Sequence, residues 1–238
     1  IGVVAAMAVC ALLGFGIERV AYRPLRHAPR LAPLITAIGV SIVLQNAAML
    51  IWGKQYLSFP ALLPVIRYDL GGPAVTNVQL VIVLLSLSLM IGLWLLIHKT
   101  RMGRAMRATA QNPEVAGLMG IDINRVIALT FVIGALLAAV AGVMVGLYYG
   151  LGHYHMGFML GLKAFTAAVL GGIGNIAGAM LGGLLLGIIE SVGAGYMATL
   201  TGGFLGSHYQ DVLAFFVLIL ILTLRPSGLL GERVAERP

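Results

Sequence analysis

Residues 1–17, 31–52, 78–97 and 126–151 contain no charged residue at all. A helix of about 20 apolar residues rises roughly 30 Å, the thickness of a bilayer's hydrocarbon core, and lipid offers no water to satisfy any other open backbone. These runs therefore read as membrane spans. The composition agrees, with 60% hydrophobic and only 10% charged residues, far from the balance of a water-soluble domain. The expected fold is all-α, a polytopic transmembrane helical bundle.

Between the third and fourth runs lies the one long polar interruption, residues 99–125, KTRMGRAMRATAQNPEVAGLMGIDINR. It holds Lys99, Arg101, Arg104, Arg107 and Arg125 against Glu114 and Asp122. Burying each charge at a bilayer centre costs about 3 kcal/mol on insertion scales, so this loop lies in water. Its basic excess places it on the cytoplasmic side, and residues 98–125 are read as one cytosolic loop. Within it, Asn112 can cap a helix, Pro113 suits the first helical position, Glu114 favours the positive end and Gly120 can terminate it. A two-turn helix is marginal in water and needs something to pack against. Val115, Leu118 and Met119 fall at i, i+3 and i+4 and make one apolar face. The residues leave two readings open: a knob inserted into a cytosolic partner, or a helix lying on its own membrane surface.

The net charge of +7 sits in a few loops between apolar runs, the pattern of cytoplasmic loop bias and not of nucleic-acid binding. Cys10 is the only cysteine, which excludes disulfides within the chain and cysteine metal clusters. His153 and His155 lack carboxylate or thiolate neighbours in sequence, so no metal site is expected. The chain opens at Ile1 inside an apolar run without a basic segment before it, and a preceding N-terminal part is expected.

In chain order, residues 1–17 form the first span and residues 18–30, with Arg19, Arg23, Arg26 and Arg30, a short cytoplasmic loop that Pro24 and Pro29 keep from continuing the helix. The second span, 31–52, ends on Trp52 at an interface and carries Gln45 and Asn46 at depth. Such amides must bond another helix or line a hydrated path. Residues 53–77, with three prolines, read as an external loop. In the fourth span Gly142, Gly146 and Gly150 recur every fourth residue and form a stripe for close approach of another helix.

Lys163 and Glu190 enclose 26 charge-free residues, enough for one crossing. One crossing would place the basic tail with Arg225, Arg233 and Arg237 outside, against the charge bias. The segment is therefore expected to enter and return as two half-helices, 158–171 and 176–195, broken at Gly171, Gly172 and Gly174 before Asn175. Breaks of this kind survive at membrane depth where protein or a water-filled cavity satisfies the backbone. Free backbone amides and the Asn175 side chain make this turn a gate candidate. The competing reading is packing, with Gly174, Gly178 and Gly182 on one face and Gly183 and Gly187 on another. Glu190 is read as a residue of the membrane rim, with a proton carrier as the alternative. The last span, 212–230, reaches full length only by running past Arg225, which can snorkel to the interface.

No phosphate-binding loop, nucleophile elbow, zinc-protease motif or intramembrane carboxylate pair occurs. The chain is not read as an enzyme, and energy for uphill movement would come from a partner. Three stretches, residues 18–24 (ERVAYRP), 101–133 (RMGRAMRATAQNPEVAGLMGIDINRVIALTFVI) and 163–182 (KAFTAAVLGGIGNIAGAMLG), resemble the permeases of branched-chain amino-acid ABC importers, specifically the H-type subunit. The likeness runs from about Ile17 to Gly231. It implies a subunit of a bacterial inner membrane that pairs with a second permease, two cytosolic ATPases using ATP and magnesium, and an external substrate-binding protein. This chain itself would carry no cofactor, and membrane lipid would be its solvent. The resemblance also implies that Pro113, Glu114, Val115, Ala116, Gly117, Leu118, Met119 and Gly120 correspond to the segment that docks on the ATPase. The family's N-terminal membrane region, with its Asn-Phe-Ala-His-Gly type motif, is absent here. Related permeases for urea or short amides share parts of these motifs, and a partner-independent channel or ion-driven carrier using Glu190 is the alternative of another class.

Overall fold

In lipid, an apolar segment satisfies its own backbone as a helix, and in the structure, a computed structural model, the long apolar runs are helical among the described residues. It describes residues 2–25, 28–29, 32–60, 66–69, 74–172, 174–200, 210–225 and 227–231, and these fall into two units, Ile1–Gly157 and Phe158–Pro238. Among the described residues five helices are long and apolar enough to cross a membrane. The protein is a polytopic helical membrane protein.

In the first unit α1 (Gly2–Ile17) packs along α6 (Ile123–Tyr149). The contact depends on a missing side chain: a Cβ on Gly14 would stand 2.6 Å from the Ala135 Cβ and 3.1 Å from the Phe131 carbonyl oxygen. Helices in lipid gain no hydrophobic burial by meeting, so close backbone approach over small residues takes that role. The expected loop at 18–30 starts late. The helix continues through a π turn at Glu18–Tyr22 and a 3-10 turn at Arg23–Leu25, because Glu18 is buried and the Tyr22 ring packs on Phe131 with centroids 4.8 Å apart. Pro24 sits in the 3-10 turn and does not stop the helix before it.

Helix α2 (Ala32–Trp52) has no buried residue within this chain. It is followed by short strands β1 (Leu57–Ser58), β2 (Arg67–Asp69) and β3 (Ala74–Thr76). β2 pairs antiparallel with β3, Tyr68 opposite Val75, while β1 pairs antiparallel with β4 (Leu151–Gly152), Leu57 opposite Gly152. Helix α3 (Asn77–Lys99) begins at a reciprocal cap in which the Gln79 amide donates to Thr76 Oγ1 and the Thr76 amide donates to Gln79 Oε1.

The glycine stripe of α6 serves another purpose than expected. Phe59 of the β1 loop lies on Gly146, 2.8 Å from where a Cβ would stand, and Gly150 is the left-handed C-cap of α6 at φ 69°. Gly142 has nothing within 4 Å. Among the described residues a ring and a cap use two of these three positions.

The polar stretch expected as a loop with one small helix contains two helices, α4 (Arg101–Gln111) and α5 (Pro113–Leu118), and the first residues of α6. Thr100 nucleates α4, its hydroxyl oxygen accepting from the Gly103 amide at 3.0 Å. Gly103 abuts the Ile97 carbonyl so closely that any side chain there would collide with it, which sets the sharp corner between α3 and α4.

The second unit holds α7 (Met156–Gly171, from Phe158 on), α8 (Ile176–Leu200) and α9 (Gln210–Leu224). α8 has 25 residues and, through Tyr196, qualifies in length and composition as a full span. It is therefore longer than the half-helix expected, since nothing between Ile176 and Leu200 interrupts its backbone ladder. α9 stops at Leu224, six residues short of the expected span, because the chain beyond Arg225 turns back onto α7. Residues 232–238, with Arg233 and Arg237 of the expected basic tail, lie outside the described residues, as do Arg26, His27 and Arg30 of the first basic loop.

Candidate functional site

Helix α5 is built by its cap. Asn112 is extended at φ −153°, and its Oδ1 accepts from the amides of Glu114 at 3.0 Å and Val115 at 3.1 Å. Pro113 stands at the helix start, where its lack of an N–H costs nothing. Gly120 at φ 83° ends the turn, and the Ile121 amide donates to the Ala116 carbonyl at 3.1 Å. One face is anchored: Ala116 is buried, and a Cβ on Gly117 would meet Ile123 Cδ1 at 3.3 Å. The opposite face is apolar and open, with Val115, Leu118 and Met119 exposed to 52%, 88% and 79%. A short helix held from behind thus presents an apolar tip, as helix-in-groove docking requires. Replacing Asn112 by Ala should cost about 1 kcal/mol of local helix stability. Amide hydrogen exchange confined to residues 113–118 would show it as a several-fold loss of protection.

The turn between α7 and α8 brings Gly171, Gly172, Gly174 and Asn175 together. Gly172 is buried at φ 106° and Gly174 lies at φ 94°. Asn175 caps α8, its Oδ1 accepting from the Gly178 amide at 2.9 Å, while its Nδ2 donates to the Leu230 carbonyl at 3.0 Å. Two amides of the turn expected to be free are bonded, Gly172 donating to the Ala168 carbonyl at 3.0 Å and Asn175 to the Gly172 carbonyl at 3.2 Å, and the Leu229 and Leu230 amides donate to the Leu170 and Gly171 carbonyls, both at 2.9 Å. The segment 227–231 is thus clasped across the end of α7, taking up carbonyls that a helix terminus leaves open. α7 and α8 meet over glycines, Gly171 against the Gly178 carbonyl and Gly182 against the Ala167 carbonyl. Gly178 and Gly182 are packing positions, whereas among the described residues Gly174 and Gly187 have nothing within 4 Å and Gly183 makes ordinary contact.

Gln45 and Asn46, in the first unit, find partners in their own helix. Gln45 Nε2 donates to Ser41 Oγ at 3.1 Å and Asn46 Nδ2 to the Ile42 carbonyl at 2.8 Å. Among the described residues neither bonds another helix, because the i−4 acceptor lies within reach of a short amide. His153 stacks on Tyr56 with centroids 4.4 Å apart, and among the described residues no group of three metal-ligating side chains forms.

One pair was not foreseen. Lys163 of α7 donates to Glu190 Oε2 of α8 at 3.0 Å, the two side chains being 28% and 20% exposed. The signal was present, since these are the only two charges bounding the 26-residue apolar run, but their closeness in space follows only from the fold-back. Removing one partner takes away the opposite charge that the other faces in an apolar hairpin, at a cost of about 3 kcal/mol. Glu190→Gln should accordingly lower the melting temperature of detergent-purified protein, and the double replacement Lys163→Met with Glu190→Leu should restore most of it. A double variant that melts no higher than Glu190→Gln would remove the pair as the reason.

Comparison with known proteins follows the same lines. A family described as the permease component of branched-chain amino acid transport systems matches residues 1–222. The high-affinity branched-chain amino acid transport permease BraD of Pseudomonas aeruginosa is 48% identical over 237 residues, 98% of this chain and 75% of that protein. The corresponding LivH permease of Escherichia coli is 46% identical over 240 residues, 99% of this chain and 75% of that protein. The autoinducer 2 import permease LsrC of an Enterobacter species is 31% identical over 200 residues, 81% of this chain and 55% of that protein. No solved structure matches. With similarity over nearly the whole of this chain joined to apolar membrane helices and a capped apolar knob, the chain belongs to the family of permease components of branched-chain amino acid transport systems.

Proposed function

We propose that this chain is the membrane-spanning translocation subunit of an ATP-driven importer for branched-chain, hydrophobic amino acids in a bacterial inner membrane. Its partners in this reading are a second permease, two cytosolic ATPases that bind and hydrolyse ATP with magnesium, and an external substrate-binding protein. The observation that carries the proposal is the exposed apolar tip of α5, Val115, Leu118 and Met119, held from behind by Ala116. A surface of this size left in water is otherwise unfavourable, and a groove on an ATPase would cover it. Residues 113–120 are then the coupling segment. α2, with no buried residue in this chain, offers a face to the second permease as well as to lipid. Substrate choice is placed with the binding protein, in keeping with a relative that is named for autoinducer 2 import on the same scaffold.

In this mechanism, closure of the ATPases on ATP displaces α5, and α4 and α6, which pack against it, carry the motion to the spans. The Gly171–Asn175 turn and the amides of α2 are the candidate gate elements. Co-purification from membranes in gentle detergent, followed by mass spectrometry and an ATPase assay with candidate amino acids and binding protein, tests the reading. Recovery of ATPase subunits with substrate-stimulated turnover is expected. Uptake that a protonophore abolishes and a dead ATPase leaves untouched would replace it with an ion-driven carrier.

A further inference from the structure

The face of α4 opposite its packed side carries three arginines. Arg101, Arg104 and Arg107 are all exposed, whereas Met102, Ala105 and Met106 are half-buried where the helix packs on α3 and α6. At 100° per residue the three arginines spread over about a third of the helix circumference. Among the described residues none of their guanidinium groups is paired with an acid, in contrast to Arg125, which pairs with Asp122 at 3.2 Å.

The height of this face is set by α3. That span ends in Trp94, His98 and Lys99, with the Trp94 and His98 rings stacked 4.9 Å apart, a composition suited to the headgroup layer. Thr100 caps α4 at once, and the close contact of Gly103 with the Ile97 carbonyl turns α4 back beside the end of α3. Arg101 therefore follows the last residue of the span by two positions, and the row starts at the membrane surface. We propose that Arg101, Arg104 and Arg107 form a binding face for the phosphate-bearing headgroups of anionic phospholipids. Planar guanidinium forks match phosphate oxygens in pairs. The charge density also decides between lipid and protein: the centre of a packed protein interface is depleted in charge, and no exposed large apolar or aromatic residue stands among these arginines. Headgroup binding at this face does not depend on which solute the protein carries.

The full chain, purified in mild detergent, is titrated with phosphatidylglycerol or with phosphatidylcholine of the same acyl chains, and bound lipid is counted by native mass spectrometry. Each basic residue near an anionic surface is worth roughly fivefold in partitioning. Phosphatidylglycerol is expected to be retained at least about tenfold over phosphatidylcholine, a preference that weakens as ammonium acetate is raised. The triple variant Arg101→Gln, Arg104→Gln, Arg107→Gln should bring the ratio near one, Arg104→Gln alone should lower it by roughly fivefold, and Arg125→Gln should leave it unchanged. Replacing the three by Lys, which keeps the charge and loses the paired fork, should keep only part of it, and the single variant decides the matter if the triple one does not fold. A ratio that the Gln variants do not alter would overturn the proposal. So would displacement of the lipid by inorganic phosphate at matched concentration, or loss of a co-purifying protein in the Gln variants with lipid preference intact, which would make the face a protein contact.

Discussion

Leu118→Asp is expected to uncouple ATP hydrolysis from uptake, lowering transport at least about tenfold while leaving the chain folded and inserted. Leu118 is 88% exposed, so the substitution removes no internal contact. In an assembled importer the same side chain would sit in an apolar groove, where burying an unpaired carboxylate is strongly unfavourable. Truncating a central anchor of an interface costs 2 kcal/mol or more, about thirtyfold in affinity, and a charge costs more than a truncation. Leu118→Met, which keeps length and apolarity, should transport at near the parent rate. The readout is uptake into cells together with substrate-stimulated ATPase of the purified complex. Unchanged transport by Leu118→Asp would end the coupling role of α5.

The second large effect belongs to Gly172→Ala, which should destabilise the α7–α8 turn by about 2–6 kcal/mol and sharply reduce folded yield. Two terms add. At φ 106° a side chain is strained whatever the space around it, by roughly 1–3 kcal/mol. A Cβ there would also press on the Gly231 backbone and stand 3.0 Å from the Ser227 carbonyl oxygen, an overpacking cost of about 1–3 kcal/mol. Gly174→Ala separates the terms, because Gly174 has a similar φ of 94° but nothing within 4 Å among the described residues. It should show only the backbone strain. Thermal unfolding of the two variants in detergent checks the difference, and equal melting would mean that the clasp of residues 227–231 does not hold the turn closed.

Helices that depend on period and local chemistry were legible in the residues. Asn112, Pro113 and Gly120 mark α5 because a cap, a helix-start proline and a left-handed glycine each act within four residues of chain. The gap between α7 and α8 was legible from Gly171, Gly172 and Gly174 for the same reason. α4 was missed, since three arginines and a glycine in eleven residues read as loop until Met102 and Met106 are given something to pack on. The tail was misread because a helix running past Arg225 and a strand-like return onto Leu170 and Gly171 are equally consistent with the composition.

The chain alone determined that this is a bundle of membrane helices with a basic polar loop and an apolar knob. Twenty uncharged residues have one stable form in lipid, and charges stay in water. Only the tertiary structure decided which glycine touches what. Gly146 receives a phenyl ring, Gly182 receives a helix backbone and Gly174 receives nothing, although all three are read alike in sequence. It also decided that Lys163 meets Glu190 and that Leu230 meets Asn175, pairings 27 and 55 residues apart. Absence of a side chain permits close approach without naming the neighbour, and long-range partners are set by how the chain folds back.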